Sequence, residues 1–207
     1  MKRSRALHHL HALAESCATM AGHPSSIFPL QVTGLWAAGE VLEPVDSVEV
    51  LVVALQVDLP PEATPWLCAP SGATHWAHAV RLPKLPIVAH WRSVHAPVWN
   101  HDLVRPLLVW SAQDGIHEPA LAALAGPDGD ALDALRGPAP TPGQLHERLE
   151  QELLVAQAAV RERSADYQRR RWSPGKLEPV ADALADAVQG WLDLQDASEP
   201  PRTGDQT

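Results

Sequence analysis

The run over residues 48–59, VEVLVVALQVDL, constrains the fold more than any other part of the chain. It is almost wholly apolar, rich in β-branched residues, and shorter than the ~20 residues that cross a bilayer. Such a run reads as a strand buried on both faces, the kind found inside an α/β domain. Its surroundings agree. Within residues 4–21, Leu7, Leu10, Leu13 or Ala14, Cys17 and Met20 recur at intervals of three and four. That spacing predicts one apolar stripe of an amphipathic helix, ending at Gly22.

Residues 28–35 alternate in part and read as a short strand. The segment between residues 59 and 88 is punctuated by prolines and has room for one short helix, near residues 73–81. Residues 87–95 and 105–110 read as two further strands, joined as a hairpin through APVWNHDLV. Pro106 places the second of them at its own start or at a sheet edge. With helices near 119–124 and 131–135, these elements predict an α/β domain over residues 1–137 with a mixed sheet of four to five strands.

A Gly- and Pro-rich stretch, AGPDGDALDALRGPAPTPG, then marks a boundary. Beyond it Thr141-Pro-Gly-Gln144 has the form of a capping box, with proline at the first helical position. Leu145, Leu149, Leu153, Ala156, Val160 and Tyr167 follow as one stripe. Leu177, Val180, Leu184, Val188 and Trp191 form another, in a helix opened by Ser173-Pro174. The expectation is a C-terminal helical hairpin over residues 141–196, followed by a disordered tail at 197–207. Its apolar faces must cover the core or a second copy of themselves, which makes a homodimer possible in principle.

Composition narrows the function. The chain of 207 residues is 45% hydrophobic and carries a formal net charge of −9. Its cations cluster only in the opening MKRSR and in the RRR run at 169–171, which reads as a helix end favoured by the helix dipole. Nucleic acid is therefore not an expected partner, because neutralising phosphates needs a broad basic surface. Arg outnumbers Lys 13 to 3, and the 8 Trp outnumber Phe and Tyr together, the bias a GC-rich genome gives, so neither excess is functional by itself. Cys17 and Cys68 lie far apart without a CxxC pattern, which points to a reducing, cytoplasmic setting. No apolar run is long enough for a membrane span, and the N-terminal ALHHLHALAESCATM is broken by histidines and a glutamate.

Residues 34–57 read GLWAAGEVLEPVDSVEVLVVALQV. A strand, a Gly-flanked turn and then acidic residues leading a hydrophobic strand resemble the core of the nucleotidyltransferase fold. In that superfamily a strand ends in Gly-Ser or Gly-Gly, and an Asp-x-Asp or Asp-x-Glu pair leads the next one. The paired carboxylates hold divalent metal ions that clamp a triphosphate. The resemblance implies that Gly34 matches the first glycine, that Gly39-Glu40 matches a second Gly-acid pair, and that Glu49 matches the second carboxylate. Leu35 stands where Ser or Gly is expected and Ser47 where the first Asp is expected, with Asp46 beside it. Asp102 is the carboxylate nearest to a third position. If active, such an enzyme would use Asp46, Glu49 and Asp102 as ligands for Mg or Mn. Across its whole length the chain also resembles a family of uncharacterised actinobacterial proteins, through LW-x-x-GE, VALxVDLP, PWL, HWA and the WRS to LVW block.

A second candidate lies in HWRSVHAPVWNHDLVRP, where Arg92, His95, Asn100, His101, Asp102 and Arg105 crowd into 14 residues. Arg supplies paired donors for phosphate or carboxylate, and His acts as base or ligand near neutral pH. The competing reading has Asn100 and His101 capping the turn and the arginines pairing with acids. His8 with His11 and His75 with His78 are spaced for one helix face, but no third zinc ligand sits at a recognised spacing. GxGxxG, P-loop, GxSxG and HExxH motifs are absent.

The leading expectation is a catalytically degenerate nucleotidyltransferase-like module that binds a small anionic or nucleotide-like ligand or a protein partner. Arg92, His95, Asn100, His101 and Arg105 would face it, with Gly34, Gly39 and Glu40 on the opposite rim. The alternatives are an active metal-dependent nucleotidyltransferase, and a non-enzymatic protein dimerising through its C-terminal helices.

Overall fold

In the computed structural model, which describes residues 1–126 and 129–199, the first apolar stripe forms helix α1 (Arg3–Ala21), burying Ala6, Leu10, Leu13, Ala14 and Cys17. The chain divides into two units: Met1–Thr64 with Ala69–Pro140, and Pro65–Cys68 with the residues from Thr141 onward.

The first unit is built on a five-stranded mixed sheet. Its strands are β1 (Val32–Ala38), β2 (Leu51–Val57), β3 (Ile87–Ser93), β4 (Leu107–Ser111) and β5 (Gly115–Ile116). Their spatial order is β3-β2-β1-β4-β5. The valine-rich run becomes β2, an interior strand in which Leu51, Val53, Ala54, Leu55 and Val57 are fully buried. β1 is antiparallel to both β2 and β4, while β2 and β3 are parallel. A parallel pair needs a long crossover; residues 58–86 supply it and hold helix α2 (Ala73–Ala79). Helices α3 (Glu118–Ala125) and α4 (Gly129–Leu135) follow the sheet.

Three local expectations are corrected. The hairpin predicted between residues 87–95 and 105–110 does not form: β3 pairs with β2, β4 pairs with β1, and the turn after β4 leads into β5. Strand partners are chosen by burial across the whole sheet, which adjacency in sequence does not reveal. The first strand starts at Val32 rather than residue 28, because Pro24 to Phe28 form a turn and the Phe28 ring stacks on His75. The last helix begins at Glu178, after a turn with Gly175 at φ 128°, and not at Ser173.

In the second unit α5 (Pro142–Arg170) and α6 (Glu178–Ser198) pack as a hairpin. Thr141 Oγ1 accepts the Gln144 backbone N–H and the Gln144 side chain accepts that of Thr141, closing the capping box. Cys68, Ala159 and Ala187 form a small apolar cluster, so Pro65–Cys68 belongs with the hairpin although its neighbours in sequence do not. Helix α6 runs to Ser198, so residues 197 and 198 are helical, and residues 200–207 of the expected tail lie outside the described residues. Among the described residues no helix is long and apolar enough to cross a membrane.

Candidate functional site

Strand register divides the predicted site in two. Gly34 pairs with Gln56, and Gln56 with Arg92, so Gly34 and Arg92 share one row at the C-terminal end of β2. Ala38 pairs with Val52 and Ala37 with Leu107, which puts Gly39, Glu40, Asp46, Glu49 and Arg105 at the opposite end. Gly34 and Gly39 are five residues apart along an extended chain, roughly 17 Å. They cannot form one rim.

At the Gly34 end the polar groups serve the fold. A Cβ on Gly34 would lie 3.1 Å from Gln56 Oε1 and 3.2 Å from Trp36 Nε1, so glycine leaves room for the bond between them. Arg92 is buried, donating from Nε to the Val98 carbonyl at 3.1 Å and from Nη2 to the Pro97 carbonyl at 3.4 Å. Asn100 is also buried; its Oδ1 accepts the N–H groups of Asp102 and Leu103 at 3.1 and 2.8 Å. This is the turn-capping role weighed against ligand binding. His101 is half-buried in the same loop. His95 Nε2 lies 3.1 Å from Asp58 Oδ1 at the surface. Ser93 Oγ donates to the Leu59 carbonyl and accepts the His95 backbone N–H, so the hydroxyl bonds backbone atoms rather than the imidazole.

At the Gly39 end, Gly39 has φ 70° and opens a 3-10 turn over Gly39–Leu42. Glu40 Oε2 accepts the Glu49 N–H at 2.8 Å, tying the turn to the approach to β2. The intervening segment pairs with the N-terminus: Arg3 N–H donates to the Asp46 carbonyl, Val48 N–H to that of Met1, and Lys2 bridges Ser47. Asp46, Glu49 and Asp102 are exposed. They are not brought together as a ligand set, since no group of three His, Cys, Asp or Glu among the described residues could hold a metal ion. The reason is again register: Asp102 sits in the Asn100 turn, while the other two precede β2.

Arg105 serves a different contact. With φ 47°, it turns its guanidinium to α4 and the residues after it, where Nη1 meets Asp133 Oδ1 at 2.6 Å and Nε meets the Gly137 carbonyl at 2.9 Å. Arg136 returns the link, donating to the carbonyls of Arg105 and Val104 at 2.7 and 3.2 Å. The Arg105 hydrogen bond holds the Asp133 carboxyl below the ordinary Asp range. Burial and then the nearby Arg105 charge push Arg136 down, against the pull of Glu43.

Beside this network opens a groove of about 490 Å³, within the range of small-ligand sites. Arg3, Glu43, Asp46, Asp133 and Arg136 line it, over an apolar floor that includes Leu42 and Leu132. Arg3 Nη2 donates to the Val41 carbonyl at 3.3 Å, whereas its Nε is buried without a partner. Of these residues only Asp46 is a site candidate by sequence. Asp133 on α4 and Arg136 just past its end carry the one readable signal, a short helix near 131–135 inside a Gly- and Pro-rich boundary stretch.

No curated protein and no solved structure matches the chain. Over residues 1–200 it matches the family described as Domain of unknown function (DUF7711), and it belongs to that family.

Proposed function

We propose that the first unit is a catalytically degenerate, nucleotidyltransferase-like module that binds a small ligand through an anionic group, in the groove beside residues 42–46. The observation that carries this reading is the strand arrangement. A helix leads into β1, a turn opens at Gly39 with positive φ and an acidic neighbour, and β2 returns antiparallel to β1 and parallel to β3. That order follows the pattern to which the Gly34–Glu40 and Asp46–Glu49 motifs were compared. Departures from it favour binding over catalysis. Ser47 replaces a carboxylate and bridges Lys2, Glu49 is tied to Glu40 through its backbone, and β3, IVAHWRS, has no carboxylate.

Thermal unfolding against a panel of nucleotides and simple anions, with and without Mg or Mn, tests this reading. A ligand at 100 times its Kd that binds only the folded state adds about 2.7 kcal/mol. The expected result is a shift that does not require metal. A shift seen only with a nucleoside triphosphate and metal would favour the active transferase, and no shift with any ligand would favour a protein partner.

Self-association through the hairpin is a second reading. Leu154 is 71% exposed beside a groove of about 420 Å³ lined by Leu153 and Trp191. It predicts a concentration-dependent dimer in light scattering that Leu154→Asp abolishes.

A further inference from the structure

Among the described residues, charge in the groove at the Gly39 end is balanced. Arg3 and Arg136 face it as cations, and Glu43 and Asp46 as carboxylates, while Asp133 is already neutralised by Arg105 at 2.6 Å. These opposite charges are not joined to one another: no ion pair within 4.0 Å links Arg3 or Arg136 to Glu43 or Asp46. Arg136 spends Nε and Nη2 on backbone carbonyls, and Arg3 keeps a buried Nε–H without an acceptor. Two guanidiniums with donors to spare and two carboxylates in no ion pair within 4.0 Å thus line one groove over apolar floor residues. A polyanion such as a triphosphate would meet two carboxylates as well as the two cations, and like-charge approach in a partly desolvated groove is costly. A molecule with one anionic and one cationic end would satisfy both sets through charge-assisted hydrogen bonds.

We infer that the groove beside residues 42–46 takes a small zwitterion, its carboxylate or phosphate held by Arg3 and Arg136 and its ammonium group by Glu43 and Asp46. This rests on the binding-module reading and deepens it by naming the ligand class. The segment that leads into β2, which in the transferase pattern would hold cationic metal, here offers the same acidic character to an organic cation.

The test uses the full chain and a series of unbranched ω-amino carboxylates from glycine to 6-aminohexanoate, with carboxylates and amines of equal length as controls. Backbone amide NMR shifts at residues 42, 43, 45 and 46 and at 133–136 report occupancy. The expected result is saturable shifts at one preferred length, with binding at least roughly tenfold tighter than either control. The double variant Glu43→Gln, Asp46→Asn should weaken the ω-amino carboxylate roughly tenfold and strengthen the plain carboxylate. Equal affinity for the plain carboxylate, or no shift at those amides with any length, overturns the inference. The binding-module reading fails separately, when no nucleotide or simple anion stabilises the protein either.

Discussion

Trp66 donates its indole N–H to Asp193 Oδ2 at 2.6 Å, joining residues 127 positions apart within the second unit. The contact is close because α6 presents Gly190 to the Trp66 backbone: a Cβ there would lie 2.1 Å from the Trp66 carbonyl oxygen. A glycine inside a helix costs up to about 1 kcal/mol against alanine. Here it permits a backbone approach that no side chain would allow.

Gly190→Ala should therefore destabilise the protein despite its better helix propensity, by about 1–3 kcal/mol, because a backbone atom must move. Trp66→Phe keeps most of the ring and deletes the donor, and should cost about 1 kcal/mol. Urea unfolding followed by circular dichroism measures both. A stabilised Gly190→Ala would mean that the close approach is absent in solution.

Arg92→Ala separates a structural arginine from a ligand-binding one. The buried side chain supplies donors to the Val98 and Pro97 carbonyls, so its loss should cost about 2–3 kcal/mol. A side chain reserved for a ligand would leave unfolding of the free protein unchanged.

The Arg105–Asp133 contact makes a pH prediction. The folded-state pKa of Asp133 is depressed by its hydrogen bond to Arg105. Such a group adds stability at pH values above its unfolded pKa and loses it as pH falls through the folded value. Asp133→Asn should lower Tm near pH 6, and the difference should shrink as pH falls below the ordinary Asp value of about 3.9 and through the depressed folded value. A constant difference down to acid pH would show that the carboxylate charge is not what matters.

The thiols should be silent in the native state. Burial pushes Cys17 up to about 12 and Cys68 up to about 11, so neither is a thiolate at pH 8. An aromatic disulfide reagent should react with neither thiol in the folded protein and with both in guanidinium chloride. Rapid native labelling of Cys68 would mean that the hairpin cluster with Ala159 and Ala187 opens readily.

Thr141→Ala removes the side-chain half of the capping box and should cost about 1 kcal/mol. Thr141→Ser retains the acceptor and should restore most of it.

What the chain declares by itself is local. The period of Leu10, Leu13 and Cys17 makes α1, the valine-rich run makes an interior strand, and Thr141 with Gln144 starts α5. Each depends on neighbours within a few positions, where backbone geometry and side-chain type decide the outcome. What tertiary structure alone decided is pairing. Nothing near Arg92 says that its guanidinium will be used by the loop that follows it, and nothing near Gly34 and Gly39 says that the sheet will assign them to opposite ends. The groove assembles Arg3, Glu43, Asp46 and Arg136 from positions up to 133 residues apart. Their proximity comes from burying α1, β2 and the later helices around one core. That burial is governed by the sum of apolar contacts over the whole unit, and no short stretch of sequence contains that sum.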